Sequence, residues 1–279
     1  MAVLFQASAQ SATDTIATVS ASDSNEKNSI HSFYGGGGLG SNMMYLGYTL
    51  SQDNPFGYGF LSYGLKDKLY LSATGYTLSN LSPFVAYYSL DLSFAHTFNS
   101  WFDISLSLSR YNVQEELRDT LFGNFNYASA TFGFDWKILY TKISFGGLFY
   151  EESQLYIQVR NSRYFETPSF ADGKAFFYFD PYVNVLAGNI ITTETVEGTT
   201  APNSRGKRPW NKPVESTATT QYSERFGFME LDFGLPVAFS YDFFTIEVEP
   251  GYVLPLYSEE NTAGMQGFLI LVSAFFRIF

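Results

Sequence analysis

The side chains able to do chemistry in this 279-residue chain are few and unevenly placed. Its two histidines, His31 and His96, stand far apart, and there is no cysteine, so neighbouring residues cannot assemble a soft ligand set for a transition metal. The expectation is no metal site and no cofactor. Carboxylates are the richer class. In Phe244–Tyr257, FTIEVEPGYVLPLY, Glu247 and Glu249 sit two residues apart inside an apolar run. Asp91, Asp103, Asp135, Asp180, Glu230 and Asp232 recur in comparable settings, with Lys142 and Arg160 as cationic partners. Acids lining a water-filled path would favour cations, whereas in a filled interior the same groups would hydrogen-bond one another. A basic patch, SRGKRPWNKP, gathers Arg205, Lys207, Arg208 and Lys212 around Trp210. It suits either an anionic partner or plain solvation. Phe33–Gly40, FYGGGGLG, has the glycines of a phosphate loop but lacks the Lys-Ser/Thr pair and a following helix. It reads as a flexible lead-in to the first strand, with close backbone packing.

Strands are the elements that would position these groups. Successive side chains of an extended chain point to opposite faces, so Phe244, Ile246, Val248, Tyr252, Leu254 and Leu256 share one side while Thr245, Glu247 and Glu249 share the other. The same alternation recurs. Tyr88, Leu90, Leu92 and Phe94 oppose Ser89, Asp91 and Ser93; Phe102, Ile104, Leu106 and Leu108 oppose Asp103, Ser105, Ser107 and Ser109. Ala128, Ala130, Phe132, Phe134 and Trp136 oppose Ser129, Thr131, Gly133 and Asp135, and Met229, Leu231, Phe233, Leu235, Val237 and Phe239 oppose Glu230, Asp232 and Gly234. Turn signals recur roughly every ten to fifteen residues. They delimit strands over 41–51, 55–65, 68–78, 85–97, 101–112, 124–136, 140–150, two within 153–192, then 225–239, 243–257 and 266–279. That is about twelve, with ten to fourteen allowed. Within 153–192 two pairings remain open: a full strand through Leu155, Ile157 and Val159, or a hairpin turn at Gly188-Asn189. Gln114–Asp119 is a polar piece that suits one helical turn in a loop.

A single half-buried strand fits either a soluble core or lipid. Composition discriminates. Aromatic residues make up 19% of the chain and charged residues 15%, against roughly 25% charged in ordinary soluble domains, which is a poor recipe for a wetted surface. The formal charge of −11 excludes a nucleic-acid partner, whose phosphates need a basic face. No apolar run approaches the ~18–20 residues of a membrane-spanning helix, but a spanning β-strand needs only ~9–11 of alternating polarity. Twelve rows of Phe, Leu and Tyr are hard to place inside one barrel and easy to place outside it. Tyr48, Tyr58, Tyr63, Phe98, Trp101, Trp136, Phe239, Tyr252 and Tyr257, near strand ends, would form interfacial girdles. Short turns at Lys66-Asp67, Asn99-Ser100, near Lys137 and at Tyr241-Asp242 contrast with longer loops at 113–123, 195–223 and 257–265, the two-rim sorting of a spanning barrel. The fold class read from these features is all-β, a transmembrane antiparallel up-and-down β-barrel over 31–279. It is preceded by a leader over 1–30, in which Ala7-Ser-Ala9 suits a signal-peptide remnant and the rest reads as disordered.

The last residues, Gln266–Phe279, QGFLILVSAFFRIF, form an apolar strand ending on Phe. This segment resembles the C-terminal signal strand of bacterial outer-membrane β-barrels, which the barrel-assembly machinery recognises. Phe275 and Phe279 carry the resemblance; Arg277 departs from it, standing where the pattern is usually apolar, and leaves the facing of this strand open. With ASAQ near the start, the chain is also similar to barrels of Bacteroidota-like bacteria. The resemblance implies a place in the bacterial outer membrane, contact with membrane lipid and lipopolysaccharide, the assembly machinery as a partner during biogenesis, and an envelope protein as a further partner. Barrel enzymes of this class, phospholipases, deacylases and proteases, use a histidine with Ser or Asp near the outer rim. Neither His31 nor His96 falls there, so the expectation is no enzymatic activity. Two functions stay open: a small pore or transport-type channel with an acidic lumen, and a non-conducting structural or accessory subunit.

Overall fold

The computed structural model describes residues 30–45, 48–49, 51, 54–79, 81–118, 123–150, 153–198, 217–259, 262–263 and 266–279. The leader over 1–29 and the basic patch from Arg205 to Lys212 lie outside the described residues. Twelve antiparallel strands form a meander: β1 (His31–Gly40), β2 (Phe56–Leu65), β3 (Leu69–Leu78), β4 (Tyr87–Asn99), β5 (Phe102–Val113), β6 (Phe125–Asp135) and β7 (Tyr140–Phe149). They continue with β8 (Gln154–Ser162, extended by Phe165–Glu166), β9 (Ala175–Phe179 and Tyr182–Gly198), β10 (Thr217–Gly234 and Val237–Tyr241), β11 (Phe244–Pro255) and β12 (Gly267–Arg277). Each strand pairs with the next, and β12 pairs with both β11 and β1, so the sheet closes on itself. Closure leaves no unpaired edge in the ring.

The barrel is inside-out relative to a soluble one. On β11, Ile246 and Val248 are each 40% exposed while Glu247 and Glu249 are 3% and 8% exposed, so the oily row faces outward and the acids inward. On β4, Leu90 and Leu92 are exposed whereas Ser89 is buried. The terminal strand follows suit. Phe268, Ile270, Val272 and Phe276 are exposed, and Ser273 and Phe275 are buried. Arg277 belongs to that inner row, which accounts for a cation where the signal pattern expects an apolar residue. Short turns at 66–68, 99–102, 136–139 and 241–244 occupy the same rim as both ends of the barrel, and the longer connections occupy the other. Lys66 and Asp67 have φ of 56° and 50°, the left-handed pair that a two-residue hairpin matched to strand twist requires. On the short-turn rim, Phe98, Trp101 and Trp136 are more than half exposed. Their rings link through Phe102 and Phe134 at centroid distances of 5.4 to 6.0 Å, making a girdle on the outer wall.

The structure corrects several expectations. The first barrel strand is not 41–51 but the glycine-rich 31–40; beyond it Met44–Tyr45 and Tyr48–Thr49 pair as a two-residue hairpin in the loop. The glycines hide the strand because they carry no hydrophobic alternation, yet their absence of side chains is what the position needs. Gly36 and Gly38 face inward directly opposite Phe60 and Tyr58, whose rings lie over them. A Cβ on Gly38 would come within 2.7 Å of the Tyr58 ring and 2.6 Å of the Val272 carbonyl. Tyr58, expected in a girdle, is therefore an inner residue, 9% exposed. Within 153–192 the strand through Leu155 is real, and Gly188-Asn189 lies inside continuous β9 rather than at a turn. The segment 195–223, expected as loop, is strand up to Gly198 and again from Thr217. Met229 does not continue the outward row. It is the extra residue of a bulge between the Leu186–Glu230 and Ala187–Phe228 pairs, and both it and Glu230 are buried. Prolines interrupt two adjacent strands at one level: Pro181 has no N–H to offer β8, and Pro236 none to offer β9. The ladder is bridged there by Asp180 N–H donating to the Pro236 carbonyl at 3.2 Å and Arg163 N–H donating to the Pro181 carbonyl at 3.2 Å. The expected helical turn is a short 3-10 turn, Glu115–Leu117, which tucks Leu117 into the lumen end.

Candidate lumenal site

Two arcs of inner wall differ in chemistry. From β1 to β6 the inner face is aromatic: Tyr58, Phe60, Tyr76, Tyr87, Tyr111 and Tyr127 are all buried. The signal was in the sequence, since Tyr87, Tyr111 and Tyr127 share the parity of their strands' Ser and Thr rows. Tyr76 stacks on Tyr87 at 4.5 Å and Tyr111 on Phe125 at 4.5 Å, while Phe60 meets Phe275 across the β1–β12 seam at 6.0 Å. The Tyr87 hydroxyl donates to Met43 Sδ at 3.3 Å. Below the rings, toward the short-turn rim, hydroxyls pair across strands: Ser107 with Ser129 at 2.6 Å and Thr131 with Ser144 at 2.8 Å. Serine and threonine hydroxyls on the inner row thus serve as one another's partners.

From β8 to β11 the inner face is polar and charged. Arg160, Asn184 and Asp232 are cross-strand neighbours in one row, Arg160 opposite Asn184 and Asn184 opposite Asp232. The Arg160 guanidinium lies 3.9 Å from Asp180 and stacks 3.8 Å above the Tyr182 ring, the planar cation's preferred place on an aromatic face. Three of the acids accept from defined donors. Tyr178 Oη donates to Glu247 at 2.9 Å, Tyr182 Oη to Glu249 at 2.7 Å, and Asn184 Nδ2 to Asp232 at 2.7 Å. Tyr182 reaches Glu249 by lying over Gly234 of β10, a position that no side chain could share with the ring. Glu230, 1% exposed, sits one inner position above Asp232, in unbroken register up to the Met229 bulge.

The acids expected from sequence therefore fall into two groups. Asp180, Glu230, Asp232, Glu247 and Glu249 come together on β9–β11. Asp91 and Asp103 face the lumen on the opposite arc, accepting from Ser89 Oγ at 2.8 Å and from Tyr140 Oη at 2.7 Å. Lys142 is directly paired with Arg160 and holds its Nζ 5.5 Å above the Tyr140 ring. Asp135 does not reach the lumen; it is exposed at the rim and accepts the Lys137 N–H at 2.7 Å in the turn. Tyr178, Tyr182, Gln158 and Asn184 complete the charged arc. Sequence reasoning passed over the tyrosines because it assigned aromatic residues to the lipid face. The two phenylalanines of the terminal strand also separate. Phe275 packs inside the lumen, whereas Phe279 is exposed at the rim and stacks on Phe33 at 5.8 Å, with Phe33 N–H donating to its carbonyl at 3.0 Å. His96 points outward between Phe94 and Phe98, and His31 bonds the Tyr63 hydroxyl at the short-turn rim.

A closed antiparallel barrel with an apolar exterior, aromatic girdle and polar interior satisfies its backbone internally and can be solvated by hydrocarbon. The chain has the architecture of a transmembrane β-barrel. No protein-family model matches it, and no curated protein sequence matches it. Among solved structures it is similar to the NanC porin, at 6% identity over 88% of this chain and 98% of that one, TM-score 0.45. It is also similar to a bacterial polysaccharide outer-membrane secretin, at 10% identity over 91% of this chain and 100% of that one, TM-score 0.44. A third similar structure is LpxR from Salmonella typhimurium, at 8% identity over 87% of this chain and 99% of that one, TM-score 0.47. The last corrects one expectation. LpxR is an outer-membrane lipid A deacylase, so barrels of this kind include enzymes, and the absence of activity inferred from the histidine positions does not stand.

Proposed function

We propose that the barrel is a transport-type outer-membrane protein that passes small cations along an acidic track, and is not a wide general-diffusion pore. The observation that carries this reading is the gathering of Asp180, Glu230, Asp232, Glu247 and Glu249 on the inner face of β9–β11. Carboxylates on a low-dielectric wall focus a negative potential and raise the local concentration of cations. Twelve strands enclose more space than the filled eight-stranded barrels and less than the 16–18-stranded porins. The aromatic arc narrows that space further. Under a salt gradient in a planar bilayer, the purified barrel should carry a small current that reverses on the cation side, and joint Glu247→Gln and Glu249→Gln replacement should move the reversal potential toward zero. Anion-selective current sinks the proposal.

The buried cluster that holds the Tyr76–Tyr87 and Tyr111–Phe125 stacks together with Leu117 favours a second reading: a lumen closed by side chains in a non-conducting accessory subunit of an envelope complex. On that reading the bilayer stays silent and a stable protein partner co-purifies from native membranes. Under either reading the assembly machinery would meet the exposed Phe279 at the seam, with Phe275 contributing through its buried packing. Lipopolysaccharide contact at the basic patch, Arg205, Lys207, Arg208, Trp210 and Lys212, belongs to the same proposal, as does the kinship with Bacteroidota-type barrels.

A further inference from the structure

We propose that Gln158, Asn184 and Asp232 hold a monovalent alkali cation in a small cavity of the lumen wall. The cavity, of about 60 Å³, has these three residues with Arg160, Tyr182 and Glu249 on its polar side, and largely apolar residues, chiefly of β11 and β12, on the rest of its lining. Gln158 Oε1, Asn184 Oδ1 and Asp232 Oδ1 are buried and make no hydrogen bond to protein. Asn184 is 3% exposed, and its orientation is fixed: only Nδ2 can donate to the Asp232 carboxylate, so Oδ1 is left as an acceptor. Three acceptors of this kind call for a positively charged or donating guest, because a buried oxygen left unpaired costs about 1–3 kcal/mol.

Charge narrows the choice. The three proposed ligands bring one formal negative charge from Asp232 and none from the amides. Glu249 adds a second to the cavity wall, while Arg160 is engaged with Asp180 and the Tyr182 ring. A divalent ion would want more carboxylates and would meet the Arg160 guanidinium. Among the described residues no three His, Asp or Glu side chains converge as a metal set. Oxygen ligands from amides with one carboxylate suit Na⁺ or K⁺. The volume exceeds the roughly 10–15 Å³ that admits one water, so the ion can keep part of its hydration. Ordered water alone is the competing occupant.

The inference rests on the inner-wall geometry and not on conduction, so a silent barrel leaves it standing. The test uses the full-length barrel folded in detergent micelles, unfolded by heat in NaCl, KCl or choline chloride at equal ionic strength. The expected result is a Tm that rises and saturates with Na⁺ or K⁺ beyond its value in choline chloride, together with ²³Na line broadening that KCl reverses. Asp232→Asn, nearly isosteric, should abolish both effects while the fold persists in choline chloride. Should that variant fail to fold, Gln158→Leu serves instead and should weaken the apparent affinity several-fold. Equal Tm in all three salts, or a cation response unchanged in the folded variant, would overturn the assignment in favour of water or of binding elsewhere.

Discussion

The two arcs of the inner wall solve one problem by different physics. Between β1 and β6 the inner wall is built by volume: Tyr76, Tyr87 and Tyr111 are at most 2% exposed, Tyr76 stacks on Tyr87 and Tyr111 on Phe125, and glycines on β1 make room for Phe60 and Tyr58. Between β8 and β11 it is built by pairing, with Glu247 and Glu249 matched to tyrosine hydroxyls, Asp232 to an amide and Asp180 to a guanidinium. The same residue type plays both parts. Tyr87 is there for its ring and Tyr182 for its hydroxyl as well, because dispersion and apolar burial need only contact, whereas a buried carboxylate needs a donor in a fixed direction. The aromatic arc should tolerate chemical change and resist loss of volume; the charged arc should do the reverse.

Substitutions can break that contrast or sharpen it. The largest losses should come from emptying the one arc and unbalancing the other. Tyr87→Ala leaves a void among packed rings and should cost about 3–5 kcal/mol. Arg160→Met strips the cation from a cluster of buried acids and should also cost about 3–5 kcal/mol. Both are read from guanidinium-induced unfolding in micelles, and a charged arc indifferent to Arg160→Met would mean that its acids are neutral or already hydrated. Next comes Gly38→Val, which forces side-chain atoms against the Tyr58 ring and the Val272 carbonyl. It should cost about 1–3 kcal/mol by overpacking, and pairing it with Tyr58→Ala should recover part of that. Tyr182→Phe keeps the ring under Arg160 but takes the donor from Glu249, with an expected loss of about 1–3 kcal/mol. Smallest is Tyr87→Phe, which keeps the packed ring and gives up a weak donation to Met43 sulfur; it should change stability by less than about 1 kcal/mol. The last two form the sharpest comparison. Equal costs would erase the distinction between the arcs.

Much of this barrel was legible without coordinates. Period-two alternation assigned the oily and polar rows of β4, β5, β6 and β11, and the contrast of tight turns with long connections sorted the two rims. The site was legible in part. Parity placed Glu247, Glu249, Asp232 and Asp180 on inner rows, but an inner row does not say which neighbours meet there. Parity failed where the backbone stops obeying it. The Met229 bulge adds a residue and turns two consecutive side chains inward, and β1 offers glycines in place of a pattern.

Side-chain polarity along an extended chain is a local property, so the sequence by itself determined the fold class, the inside-out facing and the pool of acids, through the free energy of placing each row in hydrocarbon or away from it. Register across strands is not local. Only the register between neighbouring strands set Asn184 beside Asp232, carried Tyr182 over Gly234 to Glu249, and seated the Arg160 guanidinium on the Tyr182 ring. Those contacts join residues far apart in the chain, and the hydrogen-bond ladders between them fix distances that no spacing in the sequence encodes.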